Sequence, residues 1–325
     1  MNSYIKGMGA YLPHRILSNQ DLEKMVDTTD EWIVTRTGIK NRYISAETEA
    51  TSDLATKASL AALEDAKLDA KELDMIIVAT FTPDMMMPST ATRVQKNIGA
   101  INATAFDISA ACSGFIYGLS IADQFILTGA MKNIMVIGAE TLSKYVDWSD
   151  RNTNILFGDG AGAIVVSQDN IGAKILGFHL GSNGNSPREW LMLSGSGSIN
   201  GSENMPQEKK NFIKMNGKEI FKFSVNILPD IITTVVKKYG LTIDDVNLVI
   251  PHQANKRIVE AAAERLHLPI QKFYLNIDRC ANTSAASIPI AMVDARSENM
   301  FNSGDVIVLA GFGAGLTWGS MLLRY

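Results

Sequence analysis

The chain is poor in the residue types that mark extracellular and nucleic-acid-binding proteins. Its 325 residues include only two cysteines, Cys112 and Cys280, which excludes a disulfide framework and fits a reducing compartment. Lys and Arg number 30 against 34 Asp and Glu, and the net charge of −4 provides no overall basic field for nucleic acid. We therefore expect a cytoplasmic protein without a nucleic-acid partner.

A signal peptide and a membrane span are also missing from the sequence pattern. Residues 1–7 lack the basic segment and apolar run of a secretory signal. The charge-free run at residues 306–323 contains four glycines, which predicts two strands joined by a glycine loop. With 46% apolar and 20% charged residues, the chain can bury a sizeable core. We expect one large or two mid-sized domains and no membrane partner.

One stretch combines a short buried strand, a turn of small residues and a helix. Residues 104–108 form the strand pattern, and apolar residues then recur at three- and four-residue steps up to Gly129. Cys112 falls at or near the start of this helix, where backbone N–H groups and the macrodipole favour thiolate over thiol. A lone cysteine is more often a packing residue. The position, however, is typical of a nucleophile held in a strained turn.

The order of predicted elements occurs twice, which indicates a duplicated α/β fold. The matched pairs are strands 74–80 and 246–252, helices 89–98 and 255–266, strands 104–108 and 272–276, and the helices that start near Cys112 and near Ser287. We predict an N-terminal half at residues 1–172 and a C-terminal half at residues 173–325. A helix at 219–239 is expected to break or kink at Pro229. Residues 180–215, which are rich in Gly, Ser and Asn, are expected to be loop.

Two polar residues fall at the sheet edge that carries Cys112. His252 ends a strand pattern, and Asn282 follows the next strand by analogy with Cys112. Because ligand sites in such sheets lie beyond the carboxyl ends of the strands, these three side chains are expected to meet. On residue type alone, Asn is more often a cap or turn residue. The remaining three histidines have no motif around them: His14, His179 and His267.

These motifs resemble those of the β-ketoacyl-acyl-carrier-protein synthase III family, the initiating condensing enzymes of bacterial fatty acid synthesis. The resemblance covers essentially the whole chain. It rests on Glu31-Trp-Ile with Arg36-Thr-Gly-Ile, Ala111-Cys-Ser-Gly-Phe, Pro251-His-Gln-Ala-Asn, Asn282-Thr-Ser-Ala-Ala-Ser-Ile-Pro and Gly311-Phe-Gly-Ala-Gly-Leu-Thr-Trp-Gly. The resemblance implies an α/β thiolase-like fold with a layered αβαβα core. It also implies an acyltransferase that needs no metal and no cofactor, with acyl-CoA entering as a substrate.

The resemblance implies specific roles for the residues at these motifs. Cys112 would be the nucleophile that is acylated, while His252 and Asn282 would donate hydrogen bonds to the enolate formed when malonyl thioester loses CO₂. The backbone N–H groups of Cys112 and Ala314 would hold the later oxyanion. Phe312 would shape the dry wall of the cavity.

The resemblance also implies binding surfaces. Trp32, Arg36 and Arg151 match positions that hold the adenine and phosphates of CoA. The Lys-rich stretch formed by Lys209, Lys210, Lys214, Lys218 and Lys222, together with Lys256 and Arg257, would attract an acidic acyl carrier protein. Lys222, Lys256 and Arg257 lie nearest to the family's carrier contacts. A charge run of this kind is otherwise simply a solvated face.

Three features bear on details of the resemblance. Ala314 and Ala281 stand where many family members have glycine, and alanine does not readily adopt a positive φ. Met87 matches a residue that reaches the acyl pocket of the partner subunit in a homodimer. A flexible methionine there predicts acceptance of acetyl and of short branched or straight acyl groups.

Other functions remain open from the residues alone. A Cys-His-Asn thioesterase or other hydrolase uses the same three residue types, although the duplicated α/β order argues against it. A related condensing enzyme that primes polyketide or alkyl-quinolone synthesis would carry the same catalytic residues. A non-catalytic paralogue is disfavoured because all three residue types are present.

Overall fold

The computed structural model describes residues 1–193 and 211–325, and within these ranges it contains ten α-helices and thirteen β-strands. The helices are α1 (Asn19–Glu23), α2 (Asp30–Thr37), α3 (Thr51–Ala66), α4 (Thr90–Ile98), α5 (Gly114–Leu127), α6 (Arg151–Asn154), α7 (Gly217–Lys238), α8 (Lys256–Leu266), α9 (Ile277–Cys280) and α10 (Ser287–Ser297). The strands are β1 (Tyr4–Tyr11), β2 (Arg15–Ser18), β3 (Asn41–Ile44), β4 (Met75–Ala79), β5 (Thr104–Ile108), β6 (Asn133–Glu140), β7 (Gly160–Ser167), β8 (Ala173–Ser182), β9 (Leu191–Leu193), β10 (Ile213–Met215), β11 (Leu248–Pro251), β12 (Val306–Gly313) and β13 (Thr317–Arg324).

A large sheet organises the described residues, with strand order β11-β12-β13-β8-β1-β7-β6-β4-β5. β4 runs parallel to β5 and β6, and β11 runs parallel to β12, whereas the remaining pairs are antiparallel. β1 and β8 pair over only two positions, Tyr4 with Lys174 and Ile5 with Ala173. The first group of strands is therefore β1, β7, β6, β4 and β5, and the second is β8, β13, β12 and β11. The two groups have the same order of connections and meet edge to edge at β1 and β8. The predicted boundary between residues 172 and 173 stays a prediction.

Helices lie on both faces of these strands. α5 and α10 are buried between the strand groups, where Phe115, Ile116 and Ile288 belong to one apolar core. α3 and α4 cover the outer face of the first group, and α7 and α8 cover that of the second. This layering places the N-termini of both buried helices beyond the ends of the parallel strands, where the polar motifs converge.

The strand predicted at residues 272–276 does not form. Residues Ile270–Lys272 make a 3₁₀ turn, and Phe273 joins Val249 through a single bridge. The reason is a buried side chain: Gln253 Nε2 donates to Tyr274 O at 3.1 Å, and Asn276 N–H donates to Gln253 Oε1 at 3.2 Å. The Gln253 amide thus satisfies backbone groups that a strand would have paired.

The break considered at Pro229 does not occur, and the loop expected over residues 180–215 is wrong in part. α7 continues through Pro229, because Pro229 is buried among helix residues that are anchored in the core, including Leu228 and Ile232. A kink at Pro229 stays a prediction. Within 180–215, β8 extends to Ser182 and β9 pairs with β10. Their apolar residues pack on a small core, which stabilises strands despite the polar neighbours. Residues 194–210 lie outside the described part of the chain.

In the two described ranges, no helix combines the length and the apolar character that crossing a membrane would require.

Candidate active site

Cys112 sits in a tight turn between β5 and α5. The 3₁₀ turn Ala111–Ser113 leads directly into the helix, and Ala111 has φ of +46°, in the left-handed region that alanine rarely occupies. The thiol is buried, and Ser284 Oγ donates a hydrogen bond to Cys112 Sγ at 3.3 Å. The predicted strand, strained turn and helix are therefore all present around the sulfur.

The prediction that thiolate is favoured at Cys112 is wrong for the free site. Burial raises the pKa of the Cys112 thiol to about 12, and the hydrogen bond from Ser284 lowers it only in part. The helix start favours the anion, but removing a charged sulfur from water outweighs that effect. The resting protein therefore holds a thiol, and the sulfur must lose its proton during the reaction.

His252 follows β11 and is held on two sides. Its backbone N–H donates to Ala310 O at 2.7 Å, and its Nδ1 lies 2.7 Å from Ser287 Oγ. The edge of the ring packs against Phe312, with 5.6 Å between the ring centroids. Burial lowers the pKa of His252 to about 3. The imidazole is therefore neutral and carries one N–H.

Asn282 is oriented by the loop that precedes α10. Its Oδ1 accepts a hydrogen bond from the Ser284 N–H at 2.8 Å, which leaves the NH₂ group as the free donor. Its backbone bonds to the chain near Phe157, through Asn282 N to Leu156 O and Gly158 N to Asn282 O. The carboxamide is thus held by both its side chain and its backbone.

Two cavities meet at Cys112. A small one, about 90 Å³, is lined by Cys112, His252, Asn282 and Phe312, so the structure brings the three predicted side chains together. A larger one, about 1040 Å³, is lined by Cys112 and Ala314 and by apolar residues of β9 and β10. Cys112 therefore lies between a wide chamber and a narrow one, and the narrow one is lined mainly by apolar side chains, with His252 and Asn282 among them.

The glycine loop lies directly against the nucleophile. A Cβ at Gly313 would come within 2.7 Å of Cys112 N, so only glycine leaves the space beside that N–H open. Ala314 is not among the described residues with positive φ, so its alanine causes no backbone strain. Ala281, in contrast, has φ of +56° and ψ of −160°, a conformation that glycine strongly prefers.

The three residues expected to bind CoA form one surface cluster. The guanidinium of Arg36 lies 4.7 Å from the centroid of the Trp32 ring, and that of Arg151 lies 4.8 Å from it. Arg151 also donates to Asp27 O at 2.7 Å. The face of the Trp32 ring and two guanidinium groups thus lie close together on α2 and at the start of α6.

The cationic residues expected to meet a carrier protein lie on two neighbouring helices. Lys222 is exposed on α7, and Lys256 and Arg257 are exposed on the first turn of α8. Arg257 lies over the Phe221 ring at 5.4 Å. Lys209 and Lys210 lie outside the described residues, whereas Lys214 and Lys218 flank the start of α7.

Met87 does not line either cavity of the single chain. Its side chain is 85% exposed, while the neighbouring Met85 and Met86 line the large cavity. A contact of Met87 with an acyl group would therefore need a second subunit.

The structure adds three residues that the sequence interpretation missed. Ser284 and Ser287 contact Cys112 and His252, and they lie inside the motif that begins at Asn282, so their position in that motif was the available signal. Arg42 is fully buried, and no carboxylate within residues 1–193 and 211–325 pairs with it. Its guanidinium donates to Leu17 O, to Asn19 Oδ1 and to Ile155 O, and burial lowers its pKa to about 10. It ties the segment before α2 to the residue after α6. No local pattern predicts this.

Family models and relatives identify the family of the chain. The model of 3-oxoacyl-[acyl-carrier-protein] synthase III matches residues 106–184, and that of its C-terminal part matches residues 236–325. The β-ketoacyl-[acyl-carrier-protein] synthase III of Caldanaerobacter subterraneus subsp. tengcongensis is 54% identical over 99% of this chain and 97% of the relative. The chain belongs to the 3-oxoacyl-[acyl-carrier-protein] synthase III family. It is an acyl-transferring condensing enzyme of fatty acid synthesis.

Solved structures agree on the fold. The chain is similar to the 3-oxoacyl-[acyl-carrier-protein] synthase III of Aquifex aeolicus, with a TM-score of 0.92 and 49% identity over 99% of this chain and 100% of the other. It is also similar to the priming β-ketosynthase of the R1128 polyketide biosynthetic pathway, with a TM-score of 0.92 and 33% identity over 99% and 96%. The predicted thiolase-like α/β fold is confirmed.

Proposed function

We propose that this synthase joins a short acyl-CoA to malonyl-acyl-carrier protein through an acyl-Cys112 intermediate and releases 3-oxoacyl-acyl-carrier protein and CO₂. The observation that carries the proposal is the meeting of Cys112, His252 and Asn282 around one small cavity beside a much larger one. The large cavity suits the acyl chain, and the small one suits the reacting carbonyl groups.

The first half-reaction transfers the acyl group to sulfur. Cys112 Sγ attacks the thioester carbonyl and loses its proton, the C–S bond to CoA breaks, and CoA leaves as its thiol. In the tetrahedral intermediate, negative charge develops on the former carbonyl oxygen. The backbone N–H groups of Cys112 and Ala314 are the proposed donors to it and to the later oxyanion that forms when the carbanion attacks acyl-Cys112. Gly313 supports this role because it keeps the Cys112 N–H uncovered.

The second half-reaction needs hydrogen-bond donors and no base. Loss of CO₂ from the malonyl group places charge on its thioester oxygen, and the proposed donors are the neutral imidazole of His252 and the NH₂ of Asn282. Phe312 packs on the imidazole and keeps water away from it. The carbanion attacks the acyl-Cys112 carbonyl, the C–S bond breaks, and the released thiolate takes up one proton.

Binding of the two substrates uses different surfaces in this proposal. Trp32, Arg36 and Arg151 would hold the adenine and phosphates of acyl-CoA, because an aromatic face and guanidinium groups suit those partners. Lys222, Lys256 and Arg257 would steer the acidic carrier protein toward the entrance. Acyl-CoA is a substrate here, and the proposed steps use no resident cofactor or metal.

We further propose that the synthase works as a homodimer in the cytoplasm. The exposed Met87 supports the first point, because an 85% exposed apolar side chain near an open cavity suits contact with a second copy. In such a dimer Met87 would reach the partner's acyl pocket and would accommodate acetyl as well as short branched or straight groups. The two buried cysteines suit a reducing compartment.

The decisive experiment is a condensation assay with purified protein, malonyl-acyl-carrier protein and a panel of acyl-CoAs. Formation of 3-oxoacyl-acyl-carrier protein with release of CO₂ is the expected result. Steady hydrolysis of acyl-CoA without product would instead indicate a thioesterase. The structural similarity to a polyketide-priming enzyme makes one further comparison useful. Preference for a long or unusual starter over acetyl and short branched groups would favour priming of a specialised pathway.

A further inference from the structure

We propose that Ser287 sets the tautomer of His252 by donating its hydroxyl proton to Nδ1, so that the single imidazole proton stays on Nε2. The inference deepens the proposed function, because it assigns a positioning residue to one of the two enolate donors. Ser287 touches no reacting atom and acts through His252.

The hydroxyl of Ser287 has two neighbours. Its Oγ lies 2.7 Å from His252 Nδ1, and it accepts a hydrogen bond from the Gln253 N–H at 3.4 Å. Ser287 is buried, and no other side-chain partner of its hydroxyl occurs among the described residues. One lone pair of Ser287 Oγ therefore accepts from the backbone, and the Ser287 O–H still needs an acceptor.

Only one tautomer satisfies every one of these groups. If Nδ1 carried the proton, Ser287 Oγ would accept from both neighbours, and its own O–H would have no partner in a buried site. An unpaired buried donor is costly, whereas O–H donation to a bare Nδ1 leaves nothing unpaired. Nε2 then carries the N–H.

The proton on Nε2 is what the second half-reaction needs. Since Nδ1 is engaged by Ser287, Nε2 is the nitrogen left to the small cavity, which Asn282 and Cys112 also line. A neutral imidazole has a single N–H, so the wrong tautomer would present a lone pair to the enolate oxygen and repel it. Burial keeps the ring neutral, so protonating both nitrogens cannot compensate.

The same short segment orients both donors. The Ser284 N–H holds Asn282 Oδ1 and turns the amide NH₂ outward, and Ser287 three residues later engages His252. Ser287 is the first residue of α10, a buried helix that cannot shift without disturbing the core. Both donors are thereby set before the substrate arrives, which is the arrangement that stabilises developing charge best.

The test compares Ser287→Ala with wild type in two separate assays. Acylation of Cys112 by acyl-CoA is followed by mass spectrometry, and decarboxylation of malonyl-acyl-carrier protein is followed as CO₂ release. We expect decarboxylation to fall about 10–100-fold, the range seen when a group that orients a metal-bound histidine is removed, with acylation little changed. Ser59→Ala is the matched control, because Ser59 is also fully buried and donates only to Ala55 O within α3.

Two further measurements separate a tautomer effect from general damage. In a His252→Ala background, Ser287→Ala should cause no additional loss, because it would have nothing left to act through. The ¹⁵N spectrum of histidine-labelled wild type, with His252 assigned by its loss in His252→Ala, should show a protonated Nε2 and a bare Nδ1. This measurement needs no folded Ser287 variant.

Each adverse outcome has a defined meaning. A protonated Nδ1 in wild type, or unchanged decarboxylation in folded Ser287→Ala, would overturn the inference and leave the proposed function intact. Equal losses of acylation and decarboxylation would also overturn it, because they indicate a purely structural role. Absence of any decarboxylation in wild type would instead refute the proposed function itself.

Discussion

Two loops that lead into the buried helices invite comparison: residues 109–113 before α5, and residues 281–286 before α10. Both contain left-handed backbone, at Ala111 in the first and at Ala281 and Ser284 in the second, and both end in a 3₁₀ turn. The first loop presents one thiol. The second presents a carboxamide and hydroxyl groups.

The difference shows how one backbone arrangement can serve opposite chemical needs. A helix start beyond a parallel strand points side chains and N–H groups into a crevice, whatever residues occupy it. In the first loop that place holds an ionisable sulfur, whose pKa burial raises. In the second it holds Asn282, which does not titrate and is fixed by a hydrogen bond, and Ser287 just after the loop engages the neutral His252. We therefore expect the first loop to govern acylation and the second to govern decarboxylation.

The strongest test of this division is Cys112→Ser. Because a hydroxyl is a far weaker nucleophile than a thiolate, acyl-enzyme formation should be abolished. The measurement is the mass of the protein after incubation with acyl-CoA. Cys280→Ser is the control, since Cys280 is also buried but lines neither cavity at Cys112. The Cys280→Ser variant should still be acylated at Cys112. An adduct on Cys280 would contradict the assignment.

His252→Ala and Asn282→Ala should impair the decarboxylation step alone. Each variant should still be acylated at Cys112, while decarboxylation of malonyl-acyl-carrier protein falls on the order of 10²–10³-fold, the usual cost of losing one such donor. Single-turnover rates for the two steps provide the measurement. A variant that decarboxylates normally but cannot be acylated would reverse the division.

Acylation and decarboxylation should also differ in their response to pH. The thiol pKa of Cys112 is raised to about 12, so the thiolate fraction grows with pH until that value is passed. Alkylation of the free enzyme by iodoacetamide should rise roughly tenfold per pH unit in the alkaline range below that pKa. The pKa of His252 is lowered to about 3, so the ring stays neutral throughout the same range. The rate of decarboxylation by preformed acyl-enzyme should not change with pH in this range. An alkylation rate that already reaches a plateau near neutral pH would be inconsistent with the buried thiol.

The residues proposed to bind CoA extend the comparison on the side of acylation. Arg36→Ala and Arg151→Ala should each raise KM for acyl-CoA by about tenfold, because each removes a charged contact to phosphate, and the effect should be larger at low salt. KM for malonyl-acyl-carrier protein should change little. Lys40→Ala is the control for loss of a nearby positive charge, because Lys40 is exposed just after α2 and lies outside the carrier-binding stretch. Equal effects on both substrates would show that the arginines support the structure only.

The smallest expected effect concerns backbone strain in the second loop. Ala281→Gly relieves a strained conformation worth about 1–3 kcal/mol but loses a buried methyl group and loosens the unfolded chain. The two sides nearly cancel, so the free energy of unfolding should change by less than about 1 kcal/mol. Ala285→Gly has no positive φ to relieve and should lose about 1–2 kcal/mol. Denaturant unfolding of both variants makes the comparison, and a larger loss in Ala281→Gly than in Ala285→Gly would contradict it.

Much of the architecture follows from the sequence alone, because it depends on local patterns. The strand before Cys112, the helices over 114–127 and 287–297 and the repeated order of elements each arise from apolar spacing and small residues. The convergence of Cys112, His252 and Asn282 follows as well, since residues just beyond parallel strands share one sheet edge. The motifs then suffice to indicate the family.

Tertiary structure decided the rest, because it depends on partners distant along the chain. The predicted strand at residues 272–276 is absent because the Gln253 side chain forms hydrogen bonds with the backbone at Tyr274 and Asn276. α7 continues past Pro229 because its apolar residues are packed in the core. The high pKa of Cys112 depends on how many atoms exclude water from the sulfur, which no local pattern records. Arg42 and Ser287 owe their roles to partners 113 and 35 residues away, at Ile155 and His252. Local spacing determined which side chains reach the crevice, and long-range packing and hydrogen bonds determined their protonation and orientation.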